Sequence, residues 1–193
     1  WLQAQIQPPF PYNTINSIAA LGTLDIAKMQ TLLEEFSNYL RTSFDFHNPD
    51  RMVSIDRELA LVRSYLYIEK ERYDDRLDVQ WSLDPNLHFL LPPLSIQPLV
   101  ENAVNHGVLR RNSGGTIYIG ITKNEACYEI CIRDNGVGMN EEKLLSILDR
   151  SSDSNKGIAL KNTDRRLKKL YGKGLRIQSV LGQGTTITFQ IPK

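Results

Sequence analysis

Tyr128-Glu129-Ile130-Cys131-Ile132-Arg133-Asp134-Asn135-Gly136-Val137-Gly138 runs from an alternating, strand-like segment straight into a glycine-rich turn with a carboxylate at its head. Glycine lacks Cβ, so Gly136 and Gly138 let the backbone turn sharply and lie close against a flat ligand. An ionised aspartate only accepts hydrogen bonds, which suits Asp134 to hold an exocyclic amine such as that of adenine. The same letters also fit a solvated hairpin loop, because Asp, Asn and Gly are common turn formers. The rest of the chain has to decide between the two.

A chain of 193 residues with 41% hydrophobic residues can build one generous domain or a domain with an appendage. Its 23 basic and 22 acidic residues leave a net charge of +1, so no single-sign field points to nucleic acid or to an anionic membrane. The run from Lys161 to Lys173 is the one locally basic stretch. The start at Trp1 predicts that further chain precedes this piece, and no apolar run reaches the roughly 18–20 residues needed to span a bilayer. Cys127 and Cys131 fall on one face of a strand about 13 Å apart, too far to pair, and are expected to be buried small hydrophobes in a reducing compartment.

The first half reads as helical. Leu2–Gln7 is a helical fragment that must break or bend at Pro8-Pro9-Phe10-Pro11, after which Asn13 or Thr14 can cap a new helix interrupted at Gly22. From Asp25, apolar residues at Ile26, Met29, Leu32, Leu33, Phe36 and Leu40 describe a second helix. After a break at His47-Asn48-Pro49, Ser54 or Asp56 opens a third that ends near Tyr73. At Leu77 the period changes to two, predicting a strand through Leu83. A helix with Leu94, Leu99, Val100, Ala103 and Val104 buried then runs to Gly107. Strands follow at 116–122 and 128–133, then a short helix at 141–148 and a polar, serine-rich stretch, Arg150–Asn155, suited to a mobile cover. A helix at Asn162–Tyr171 and strands at 175–180 and 185–191 close the chain. The outline is a helical region at 1–75 followed by an α/β domain at 76–193.

Two further segments bear on chemistry. Asn102, Asn105 and His106 are three and four apart, so on a regular helix they share a face, and an Asn carbonyl suits Mg²⁺ that also contacts phosphates. An exposed polar helix face explains the same residues blandly. In Lys156-Gly157-Ile158-Ala159-Leu160-Lys161-Asn162 a loop enters a helix, whose free N–H groups and dipole attract phosphate. Taken singly, it is also an ordinary helix entry with a basic face.

Glu101-Asn102 on a helix, Asp134-x-Gly136-x-Gly138 after a strand, a glycine-led helix start and Gly182-Gln183-Gly184-Thr185 in a last hairpin, in this order, resemble the Bergerat-type ATP-binding fold. The stretches Leu94–Gly107, Leu2–Phe10 and Asn13–Ser17 are similar to the LytS-type sensor histidine kinases. The resemblance implies an α+β fold: a two-layer α/β sandwich with a mixed, mostly antiparallel sheet and helices on one face, preceded by an α-helical dimerisation region. It implies ATP and Mg²⁺ as cofactors. Asp134 would read the adenine amine, Gly136 and Gly138 shape its pocket, and Asn102 hold Mg²⁺. Glu101 would assist proton removal or orient the acceptor, and Asn105 and His106 would border the nucleotide. Gly157, Leu160 and Asn162 would lie at the lid near the phosphates, and Thr185 would help hold adenine.

The family pattern N-P-H-F-L-F-N stands here as Gln7-Pro8-Pro9-Phe10-Pro11-Tyr12-Asn13, which puts Pro9 in the place of the phosphoacceptor histidine. A proline nitrogen within a chain is a tertiary amide that cannot accept phosphate. Ala159 replaces a second lid glycine, Asn105 stands where lysine is common, and His47 and His88 lack the acceptor context and are expected to be structural or solvated. The expected function is the cytoplasmic kinase core of a two-component sensor histidine kinase, with a non-catalytic ATP-binding switch module as the alternative. Expected partners are a second copy through the N-terminal helices and a response regulator, with no nucleic acid and no direct membrane contact. A membrane-spanning sensor region is expected upstream.

Overall fold

The computed structural model describes residues 9–46, 51–148 and 157–193. The helical fragment at Leu2–Gln7, the break at His47–Pro49, Lys156 and the cover at Arg150–Asn155 lie outside the described residues.

Helix α1 (Pro9–Leu21) begins on the prolines. The break expected through Pro11 is therefore narrower, because N–H groups in the first turn have no intrahelical acceptor and proline loses nothing there. Thr14 is not a cap; mid-helix, its hydroxyl donates to the Phe10 carbonyl at 2.8 Å. Helix α2 (Ile26–Asp45) is capped by Asp25, whose carboxylate accepts from the Lys28 N–H. It buries Leu32, Phe36 and Tyr39, while Ile26 and Leu33, expected in its apolar stripe, are 62% and 50% exposed. Short strand β1 (Val53–Ser54) leads into α3 (Ile55–Tyr73), and β1 pairs antiparallel with β3 (Leu90–Leu91).

A five-stranded sheet carries the second half. It contains β2 (Leu77–Leu83), β4 (Gly115–Lys123), β5 (Cys127–Asp134), β6 (Arg176–Val180) and β7 (Gly184–Pro192), in the order β2-β4-β5-β7-β6. Only β2 and β4 run parallel; the other pairs are antiparallel. Ile117, Ile119 and Ile121 of β4, Ile130 and Ile132 of β5, and Ile187, Phe189 and Ile191 of β7 are buried. Alternation places them on one face of the pleat. Against the sheet and one another lie α4 (Gln97–Asn102), α5 (Glu141–Leu148) and α6 (Ile158–Tyr171). This is the expected α+β sandwich.

Two details differ from the sequence reading. Cys127 and Cys131 share a face, but it is the half-buried outer face with Glu129 and Arg133, while Tyr128, Ile130 and Ile132 take the core. Leu94 does not start the helix: it is half-buried in a loop with φ +56°, and α4 begins three residues later.

The helical region is built into the same core. Phe10 of α1 packs edge-on to Tyr39 of α2, with ring centroids 4.9 Å apart, and lies 5.0 Å from Tyr65 of α3. One buried cluster runs from Phe10 through α2 and α3 to the inner face of the sheet.

Candidate functional site

Asp134 ends β5, and its carboxylate is buried at 6% exposure. Burial raises its pKa, while N–H donation from Gly136 and Thr185 pulls the other way. The Gly136 N–H lies 2.8 Å from Oδ1. Around this carboxylate the backbone packs too tightly for side chains. A Cβ at Gly136 would sit 2.1 Å from the Gly107 carbonyl carbon, and one at Gly107 would sit 2.6 Å from Asp134 Oδ1. Gly138, with φ +61°, has the Val180 carbonyl oxygen 2.0 Å from where a Cβ would stand. The two expected glycines therefore hold the turn between the end of the α4 segment and the β6–β7 hairpin.

The hairpin closes the other side. The Gly182 N–H donates to the Val137 carbonyl at 2.7 Å, and Thr185 Oγ1 lies 2.8 Å from Ser179 Oγ. Ser179 Oγ also accepts the Met139 N–H at 2.8 Å. Arg111 ties both loops together, donating to the carbonyls of Asn135 and Gly182 at 2.6 Å each. Neither Arg111 nor Ser179 was singled out from the sequence. The turn Arg110-Arg111-Asn112-Ser113-Gly114 carries only a generic loop signal, and the clamp depends on partners 24 and 71 residues away.

Helix α4 brings the second group of residues. After Asn102 the helix widens into a π-helical turn, Ala103–Gly107, so the regular pitch assumed for residues 102, 105 and 106 is lost. Such turns recur at functional sites. Asn102 is half-buried at the end of α4. The Asn105 side-chain amide instead turns to the Tyr65 hydroxyl at 3.4 Å. His106 is largely exposed, and partial burial together with the charges of Arg110 and Lys143 lowers its pKa.

Glu101 is buried beneath the helical region, accepting from Gln97 Nε2 at 3.0 Å and from the Tyr39 hydroxyl at 3.3 Å. Burial pushes its carboxyl up to about 7, against the hydrogen bonds from Gln97 and Tyr39. Tyr39 packs on Phe10, the neighbour of Pro9. Tyr39 thus links Phe10 of α1 to Glu101 of α4.

At the third segment, Gly157 precedes α6 with φ +80°. Leu160 is a buried core residue, whereas Asn162 is half-buried and its side-chain Oδ1 accepts from Arg165 Nη2 at 3.4 Å. A cavity of about 570 Å³ containing His88, Phe89 and Tyr128 in its wall lies at the other end of β5 and shares no residue with this site. Among the described residues no helix is long and apolar enough to cross a membrane.

Residues 94–193 match the family described as histidine kinase-, DNA gyrase B- and HSP90-like ATPase, and residues 1–77 match the one described as histidine kinase. The catalytic domain of histidine kinase ThkA superimposes with a TM-score of 0.55 at 16% identity, covering 74% of this chain and 96% of that one. Histidine kinase AdeS of Acinetobacter baumannii superimposes with a TM-score of 0.54 at 14% identity, covering 86% of this chain and 79% of that one. Both show a shared fold. The chain belongs to the histidine kinase-, DNA gyrase B- and HSP90-like ATPase family.

Among the relatives, YwpD of Bacillus subtilis is 45% identical over 194 residues, 99% of this chain and 68% of that protein. Sensor protein LytS of Streptococcus mutans is 35% identical over 194 residues, 99% of this chain and 33% of LytS. The sensor histidine kinase/phosphatase LytS of Staphylococcus aureus is 36% identical over 196 residues, with the same coverages. The chain therefore spans about a third of the length of LytS. Its ATPase-type domain is a nucleotide-binding one.

Proposed function

We propose that the chain is the ATP- and Mg²⁺-dependent kinase core of a two-component sensor histidine kinase. Residues 76–193 would hold the nucleotide, and residues 1–75 would form the dimerisation and acceptor-like region. The observation that carries this is the buried Asp134 carboxylate at the head of a turn pressed onto Gly107 and onto the last hairpin. Such a carboxylate can accept from an adenine amine in a water-poor setting, where a hydrogen bond to an ionised acceptor discriminates strongly. Gly136, Gly138 and Thr185 would shape and complete the adenine side. Asn105, His106, Gly157, Leu160 and Asn162 would border the remainder of the nucleotide.

Asn102 offers one hard amide oxygen, which fits Mg²⁺, an ion that keeps several waters and shares its shell with phosphates. When bound, the ion neutralises charge on the transferring phosphoryl group. Glu101, held by Tyr39 and Gln97, would orient or deprotonate an acceptor imidazole. With Pro9 at the acceptor position, this chain would not take up phosphate there. A second copy would dock on α1, α2 and the turn between them, where Tyr12, Ile15, Leu24 and Ile26 are 73%, 53%, 81% and 62% exposed. The further partner is a response regulator, and a membrane-spanning sensor would precede the piece, which acts in the cytoplasm.

Equilibrium titration tests the nucleotide part. The chain is expected to bind ATP saturably at one site in the presence of Mg²⁺, and to lose about tenfold in affinity, roughly 1.4 kcal/mol, when Mg²⁺ is chelated. Absence of saturable binding by the folded chain would sink the reading.

A further inference from the structure

Helix α4, which carries Glu101 and Asn102, starts without a cap of its own: Ile96 precedes it with helical backbone angles and its side chain makes no capping bond. The cap comes from α3. Glu58, fully buried, accepts the Leu94 N–H on Oε1 and the Ile96 N–H on Oε2, the latter at 2.9 Å. The Gln97 N–H also faces it. Leu94 and Ile96 lie 36 and 38 residues from Glu58 along the chain.

The peptide units of Leu94 are held from two sides. Its N–H goes to Glu58, and its carbonyl accepts from Arg166 Nη2 of α6 at 2.8 Å. Its φ of +56° is one that leucine rarely adopts, so the surrounding contacts must impose it. The Arg166 guanidinium also attracts Glu58 electrostatically, and its Nε has no hydrogen-bond partner among the described residues. Opposite ends of the nucleotide site thus meet at one residue: α4 with Glu101 and Asn102, and α6 with Asn162.

A local Ser, Thr, Asp or Asn would satisfy the α4 N–H groups as well, at less desolvation cost than a buried glutamate. A cap carried on α3 makes the position of α4 depend on where α3 sits. We propose that Glu58 is a positioning residue that couples α3 to both walls of the nucleotide site, so that a displacement of α3 moves α4 and α6 together. The proposal rests on nucleotide binding at the Asp134 site. Linkage then requires the reverse effect: bound nucleotide must steady α3.

The test combines Mg²⁺-ATP titration with amide hydrogen exchange on the full chain. Glu58→Gln keeps the size but sets an amide N–H₂ against a backbone N–H. It is expected to weaken Mg²⁺-ATP binding about tenfold at temperatures where the variant is fully folded, and Arg166→Gln is expected to do the same. The double variant should be no more than marginally weaker than the worse single one, because both act through Leu94. In the wild type, Mg²⁺-ATP should slow exchange across residues 55–62 of α3. A folded Glu58→Gln with unchanged affinity overturns the proposal, as does exchange in 55–62 that is indifferent to bound nucleotide. Should Glu58→Gln not fold, the wild-type exchange decides alone. No binding by the wild type overturns both this proposal and the nucleotide reading, whereas normal wild-type binding with an indifferent Glu58→Gln overturns only this one.

Discussion

Asp134→Ala is expected to weaken Mg²⁺-ATP binding by about 100-fold or more while leaving the chain folded. Two losses add. The adenine amine loses a charge-assisted acceptor, about 1.5–3 kcal/mol, and the N–H groups of Gly136 and Thr185 that now face the carboxylate lose their partner. Methyl in place of carboxylate leaves the β5–β7 ladder intact, since Asp134 pairs with Thr185 through backbone. Calorimetric titration beside a thermal melt separates the two effects. A large drop in melting temperature with unchanged affinity would place Asp134 in the fold and not in the site.

Gly136→Ala is expected to damage both stability and binding. The added carbon would stand 2.1 Å from the Gly107 carbonyl carbon and 2.4 Å from its oxygen, both backbone atoms that cannot swing aside. Relief requires the turn and the π-helical turn to separate. Overpacking of this kind costs about 3 kcal/mol, which in a chain of this size lowers the melting temperature by about 6–12 °C. Because the same movement parts Asp134 from Gly107, affinity for Mg²⁺-ATP should fall about tenfold or more even well below the melt. An alanine variant with wild-type melting and affinity would mean that the turn is loosely packed, against the geometry described.

What could be read from the chain follows from how local each signal is. β5 and its turn were legible because alternation and glycine spacing are written within eleven residues. The face taken by Cys127 and Cys131 is not: their shared parity is local, but which parity faces the core is set by elements packed on the sheet, such as the π-helical turn against β5. The start of α1 is not legible because proline breaks a helix interior yet fits its first turn, and nothing in Pro8-Pro9-Phe10-Pro11 says which of these applies. Leu94 was assigned to a helix by its hydrophobicity. Its actual place in a loop depends on Glu58 and Arg166, which no window around Leu94 contains. Likewise Asn102, Asn105 and His106 were put on one face by a pitch of 3.6, and the π-helical turn removes that regularity. Glu101 is legible as a polar residue on the helix that carries Asn102, but its hold on Tyr39, 62 positions away, is not.

On the proposed reading, a nucleotide site at Asp134 faces a position, Pro9, that cannot take up phosphate. Pro9 opens α1, the Phe10 ring of the same helix packs on Tyr39, and Tyr39 donates to Glu101. The measurement that tests this most directly is incubation of the wild type and of Pro9→His with γ-labelled ATP and Mg²⁺. The wild type should remain unlabelled, and Pro9→His should acquire an acid-labile, base-stable label, the signature of phosphohistidine. A Pro9→His chain that binds Mg²⁺-ATP yet stays unlabelled, or a wild type that takes up the label, would contradict the account.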